Sequence, residues 1–199
     1  GITRRPGVRY TALVPNLVGL ERARASHVDE IVIVAASTET FSRKNQGMAT
    51  EDAVRTVEAV APQSLAAGIE PTVTISAAFG CPYEGEVPVD HVVALAERLA
   101  ASGVTEIAIA DTIGVGVPAD VHDRVRRVRA VTGDLRLRAH FHNTRNTGYA
   151  NALAAYEEGV RVLDSSLGGI GGCPFAPKAT GNIATEDLVY LPERSGIST

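Results

Sequence analysis

Cysteine is nearly missing from this chain: Cys81 and Cys173 are the only two in 199 residues. That is too few for a disulfide framework, and their settings read as free thiols in a reducing compartment, with the cytoplasm as the default home. No window approaches the long uncharged apolar run of a membrane-spanning helix, so no membrane partner is expected. The first ten residues carry no apolar signal-peptide core, and no export signal is expected. Lysine is scarce as well. Lys44 and Lys178 stand alone beside many arginines, a bias read as genome composition before phosphate recognition. A net charge of −4 gives no global attraction to nucleic acid or anionic lipid. What is present is 45% apolar and 21% charged, the balance of a globular chain long enough for a substantial core.

The same unit recurs along the sequence. Short runs rich in Val, Ile, Leu and Ala read as strands buried on both faces: Tyr10–Val14, Glu30–Ala35, Pro71–Ala77, Glu106–Ala110, Leu135–Ala139 and Val160–Leu163. Helical spacing fills the gaps. Asn16 caps a helix carrying Leu17, Leu20 and Ala23 on one side. Thr50, Glu51 and Asp52 open another with Val54, Val57 and Val60 as its apolar face; Pro62 is expected to kink or break it and Gly68 to end it. Pro88 precedes a helix that runs from Asp90 to a Gly103 stop, and Pro118 and Gly133 bracket the next, with Val121, Val125 and Val128 inward. Tyr149–Glu158 ends at Gly159, and Thr185, Glu186 and Asp187 start a last helix that Pro192 is expected to halt.

Strands alternating with helices imply a parallel sheet with helices outside. An open doubly wound sheet loses its main support, because no Gly-x-Gly-x-x-Gly follows the first strand. Polar residues gather after the C-terminal ends of several strands, where barrel enzymes keep their chemistry. The expected fold is therefore an α/β, TIM-type (β/α)8 barrel forming one catalytic domain over residues 1–199. A complete barrel takes about 250 residues and eight strands. Only six of the eight βα units are visible, so the barrel is expected to be incomplete, with open edges through which the chain self-associates.

Four segments carry candidate chemistry. His140 and His142 flank Phe141 at a strand end, and residues two apart on a strand share a face, so both imidazoles can reach one point. That suits a divalent metal; two unrelated loop histidines are an equal alternative. Asp111 ends an apolar strand before Thr112–Ile113–Gly114–Val115–Gly116, where it is either poised over the barrel mouth or caps the following turn. Gly168–Gly169–Ile170–Gly171–Gly172 delivers Cys173 on a glycine-rich loop able to close over a substrate. Asn182 can cap its loop or offer an oxygen to a hard cation. By contrast Arg124, Arg126, Arg127 and Arg129 read as a solvated helix face, His27, His91 and His122 earn no role, and Cys81 reads as a packed structural thiol.

Together Ala78–Phe79–Gly80–Cys81–Pro82–Tyr83–Glu84–Gly85, Asp111–Thr112–Ile113–Gly114–Val115–Gly116, His140–Phe141–His142, Gly169–Ile170–Gly171–Gly172–Cys173–Pro174–Phe175–Ala176 and the segment from Gly181 to Tyr190 resemble the hydroxymethylglutaryl-CoA lyases. These belong to the wider group of barrel metallolyases and Claisen-type synthases. The likeness runs from Pro6 to Ile197. It implies that His140, His142 and Asn182 bind Mg²⁺ or Mn²⁺, and that Asp111, His140 and Cys173 are acid–base groups. The implied substrate is an acyl-CoA, and the implied reaction splits 3-hydroxy-3-methylglutaryl-CoA into acetyl-CoA and acetoacetate. An Arg-Asp pair on the family's first strand and a Glu on its second precede the point where this chain begins. The family's Asp-Thr-Tyr-Gly after the paired histidines is replaced by Asn143–Thr144–Arg145–Asn146, and Arg145 adds a charge suited to a carboxylate or a CoA phosphate. The rival readings are a related metal-dependent aldolase or acyltransferase on another acyl-CoA or 2-oxo acid, and an inactive or partner-binding barrel fragment.

Overall fold

The computed structural model describes residues 2–176 and 181–198; Lys178 lies outside them. In chain order the elements are β1 (Thr11–Leu13), α1 (Leu17–Ala25), β2 (Glu30–Ala36), α2 (Glu39–Gln46), α3 (Thr50–Ala66), β3 (Glu70–Ser76), β4 (Gly80–Cys81), β5 (Gly85–Glu86), α4 (Val89–Ala100), β6 (Glu106–Asp111), α5 (Pro118–Thr132), β7 (Arg136–Phe141), α6 (Gly148–Glu157), β8 (Val162–Asp164) and α7 (Thr185–Arg194). Six strands pair in the order β1-β2-β3-β6-β7-β8, every pairing parallel, and β4 and β5 form a small antiparallel hairpin beside them. The sheet curls as an incomplete TIM barrel. Among the described residues β1 and β8 have one strand neighbour each.

Alternation along the strands sorts the chain into a helix-facing core and a barrel interior. Ile31, Ile33, Val73, Ile75, Ile107, Ile109, Leu137, Ala139 and Phe141 are buried against the helix layer. The helices answer with Val54, Val57 and Val60 on α3 and Val121, Val125 and Val128 on α5, all buried. Asn16 caps α1 as expected, its side-chain oxygen accepting from the Gly19 amide at 2.9 Å.

The expected strands lie within one or two residues of those found. The strand expected to end at Ala77 stops at Ser76 because Ala77 has φ of +55°, a left-handed turn that no strand can continue. Two prolines do not break their helices. Pro62 sits inside α3 and Pro192 inside α7. Each removes one backbone donor, but Val57, Val60, Ala61 and Ser64 are all buried around Pro62, and that packing holds the helix through it. Helix α2 and the β4–β5 hairpin were not expected. Both are short, and the hairpin has only four strand residues to carry a period.

Arg124 also departs from the expectation of a solvated face. Its guanidinium is mostly enclosed, donates to the carbonyls of Ala78 and Val87 at 3.0 Å each, and lies 4.9 Å from the Phe79 ring centroid. It pins the loop after β3 to α5. Arg126 and Arg127 do face outward, paired with Glu158 and Asp90.

The lower barrel interior is ionic. Arg138 contacts Glu30 and Glu106 at 2.6 Å each and reaches Asp164 at 3.6 Å, while Arg136 bridges Glu70 at 2.8 Å and Glu106 at 3.3 Å. Glu30 and Glu106 are buried. Burial pushes the Glu106 carboxyl above the usual range, while Arg138 and Arg136 hold it down. Removing one member of such a set leaves buried charge uncompensated. Arg138→Ala is expected to destabilise the fold by about 3–5 kcal/mol, measured as a lower urea midpoint at unchanged slope. A midpoint equal to wild type would show that Arg138 does not compensate these carboxylates.

Candidate active site

The site is assembled where β6, β7 and β8 end. On β7, Leu137, Ala139 and Phe141 enter the core, so Arg138 and His140 project to the other face, into the barrel interior. His142 follows directly and is 4% exposed. The two imidazole rings meet edge-on, with centroids 5.1 Å apart. His142 Nδ1 is buried without a hydrogen-bond partner among the described residues. Burial, and then the neighbouring His140, lower the His142 pKa to about 4. This imidazole is therefore neutral at physiological pH, the form in which histidine serves as a ligand.

Asn182 is brought to the pair by the backbone. Residues His142 and Asn182 form an isolated antiparallel bridge, and the Asn143 amide donates to the Gly181 carbonyl at 3.1 Å. The Asn182 side-chain amide donates to the Ile170 carbonyl at 3.1 Å, which leaves its oxygen as the remaining acceptor. Asn182 thus touches both the histidine strand and the glycine-rich segment. Gly169, at φ +67°, is required there, since a Cβ would lie 2.9 Å from the Asn182 carbonyl oxygen. Cys173 is half-buried, free, and packed against the edge of the core.

Asp111 is placed differently. Strand register sets Ala110 beside His140 and Asp111 beside the core residue Phe141, so Asp111 shares the helix-facing side of β6 with Ile107 and Ile109. Its carboxylate is fully buried and accepts from the amides of Val115 at 3.0 Å and Gly116 at 2.8 Å. Burial pushes its pKa up, and those amides with Gly114 pull it down. Gly116 allows this approach, for a Cβ would stand 3.1 Å from Asp111 Oδ2 and 2.7 Å from Phe79. Of the two roles open to Asp111, these bonds are those of a turn cap. Arg145 is tied to the same turn, donating to the carbonyls of Gly114 at 3.0 Å and Ile113 at 3.4 Å.

One residue of the site was not singled out from the sequence. Asp164, at the end of β8, lies 3.6 Å from His140 Nδ1 and 3.6 Å from Arg138. Its register partner is His140. Nothing in the sequence around Asp164 reports which strand lies beside it.

No three His, Cys, Asp or Glu side chains among the described residues converge on one centre. The two imidazoles meet, and the Asn182 backbone is bridged to His142. One orphaned buried ring nitrogen and a free amide oxygen fit a divalent cation with mixed nitrogen and oxygen ligands.

A curled parallel sheet with paired histidines at its C-terminal edge defines an incomplete TIM barrel with its polar residues at the strand ends. Comparison with known proteins gives the family. The HMGL-like family model matches residues 7–199. The hydroxymethylglutaryl-CoA lyase of Bacillus subtilis is 40% identical over the whole chain, which spans 67% of that protein. The (R)-citramalyl-CoA lyase of Chloroflexus aurantiacus is 44% identical over 96% of the chain, which spans 60% of that protein. The HMG-CoA lyase of Acinetobacter baumannii, solved with coenzyme A and 3-methylmalate, superimposes with a TM-score of 0.94 at 39% identity, covering all of this chain and 65% of that one. The chain belongs to the HMGL-like family. It spans about two thirds of the length of these relatives.

The lowered His142 pKa has a consequence for stability. An imidazole that resists protonation in the fold leaves the unfolded chain as the better proton acceptor. With chelator present, stability is expected to hold above pH 6.5 and to fall as the pH drops from 6.5 towards about 4. Urea titrations across this range should show the slope for the native chain and a reduced one for His142→Gln. Equal slopes in both proteins would place the proton uptake elsewhere.

Proposed function

We propose that this protein is a carbon–carbon lyase that cleaves 3-hydroxy-3-methylglutaryl-CoA to acetyl-CoA and acetoacetate. The observation that carries the reading is the edge-on pair of His140 and His142 at the strand ends, with the Asn182 backbone bridged to His142. Family membership and the lyase relatives support it. We assign residues 1–199 to one catalytic unit, set in the cytoplasm, where two free thiols are at home. No helix among the described residues is long and apolar enough to cross a membrane.

His140, His142 and Asn182 would hold Mg²⁺ or Mn²⁺, which when bound lowers the pKa of a substrate hydroxyl and polarises a carbonyl. With one His140 nitrogen given to the ion and Nδ1 facing Asp164 at 3.6 Å, the Asp164 carboxylate takes the proton of the tertiary hydroxyl, and His140 acts in that step by orienting it. As the hydroxyl carbon becomes the ketone of acetoacetate, the electron pair of the breaking C–C bond passes to the acetyl-CoA fragment as an enolate. Cys173 supplies the proton that converts this enolate to acetyl-CoA. Asp111 acts through the turn it caps, holding Val115 and Gly116 in place, and is a positioning residue in this scheme.

The citramalyl-CoA lyase relative supports a second substrate within the same reaction class. Incubating the full-length protein, with the family's Arg-Asp and Glu strands in place, with Mg²⁺ and each acyl-CoA in turn decides between them. Acetoacetate from hydroxymethylglutaryl-CoA is the expected result. Cleavage of (R)-citramalyl-CoA alone would change the substrate, and cleavage of neither would overturn the reading. Cys173→Ser should lower turnover about a hundredfold or more while leaving Mn²⁺ binding, followed by electron paramagnetic resonance, unchanged. His142→Ala should abolish that binding. Unchanged turnover in Cys173→Ser would remove the thiol from the mechanism.

A further inference from the structure

The thiol loop is built from residues that cannot hold themselves in place. Gly168, Gly169 and Gly171 all have positive φ, between +60° and +100°, and glycine imposes no side-chain restraint on the backbone. Cys173 then opens a tight turn in which the Ala176 amide donates to the Cys173 carbonyl at 3.0 Å. Something outside the loop must fix that turn if the thiol is to meet a substrate reproducibly.

Tyr83 is in a position to do so. It lies between β4 and β5, 92 residues before Phe175, and its hydroxyl donates to the Phe175 backbone carbonyl, inside the turn that Cys173 opens. The base of this arm is rigid. The Tyr83 ring packs 6.3 Å from Phe41, which is fully buried, and Lys44 lies 5.1 Å from the ring centroid on its other contact. The Tyr83 amide donates to Cys81 Sγ at 3.4 Å, and Thr38 donates to the same buried sulfur at 3.0 Å. Next to it, Glu84 accepts from the Thr40 amide at 2.7 Å and ties the hairpin to the start of α2. A braced phenol therefore contacts a glycine-rich loop through one hydroxyl.

We propose that Tyr83 is a positioning residue that latches the Cys173 turn through its hydroxyl bond to the Phe175 carbonyl. The functional value of the latch rests on the lyase reading above; the latch itself does not. It gives the two Gly-Cys-Pro segments one physical purpose: Cys81 braces the arm that holds Cys173.

The test is the alkylation rate of Cys173 by iodoacetamide, read by peptide mass spectrometry on the 199-residue chain, so that buried Cys81 is scored separately. Tyr83→Phe keeps the ring and its packing, and should leave the thermal midpoint unchanged. Losing one net hydrogen bond should free the turn and raise the Cys173 labelling rate about two- to tenfold. Phe175→Ala keeps the carbonyl and should label as the native chain does. A native rate in Tyr83→Phe overturns the latch, as does an equal rise in Phe175→Ala, which would assign the restraint to ring packing. Labelling needs no turnover, so failure of the lyase assay leaves this result standing, and failure of the latch leaves the lyase reading standing.

Discussion

The two-residue alternation of β7 is the constraint on which the rest depends. Leu137, Ala139 and Phe141 must enter the helix-facing core, since exposing them would forfeit the burial that holds the helix layer to the sheet. Arg138 and His140 are then compelled to face the barrel interior, with His142 beyond them. One strand thus carries an ionic anchor at its lower end and a histidine pair at its upper end. Arg138 also joins the two levels, because it compensates Glu30 and Glu106 below and touches Asp164, the neighbour of His140, above.

The same rule accounts for Asp111. A single-residue difference in parity places its carboxylate on the core side of β6, where full burial requires hydrogen-bond partners. The amides of Val115 and Gly116 supply them. The acid at the strand end and the glycines after it form one unit, a closed turn, and Arg145 fastens the segment after His142 to that turn. The family's aromatic residue is replaced here by a cation whose guanidinium is bonded to two loop carbonyls, Ile113 and Gly114.

Rigid and yielding parts of the mouth are divided by composition. Near the β4–β5 hairpin, Cys81 and Glu84 are each held by a bond from outside the hairpin, and the Tyr83 ring packs on Phe41 of α2. Between Gly168 and Cys173 the chain is mostly glycine, and its fixed points are borrowed: Glu186 accepts from the Gly168 amide at 2.9 Å, and Asn182 and Ser166 both donate to the Ile170 carbonyl. A loop held from outside can be moved by whatever binds its holders. Asn182, which also pairs with His142 through the backbone, couples the histidine pair to the thiol loop.

The sequence by itself determined the six parallel strands, the cap at Asn16, the start of α5 at Pro118, the valine faces of α3 and α5, and the shared face of His140 and His142. All but the parallel pairing, which follows from strands alternating with helices along the whole chain, are local matters, fixed by period, by the absence of a proline donor and by the conformational range of glycine, and are legible within a window of a few residues. Only the tertiary structure decided that Pro62 and Pro192 stay inside helices, that Arg124 is enclosed against Phe79, that Asp164 stands beside His140, and that Tyr83 reaches Phe175. Each of those depends on residues tens of positions apart, and the contact between them is set by strand register and packing, which no local pattern encodes.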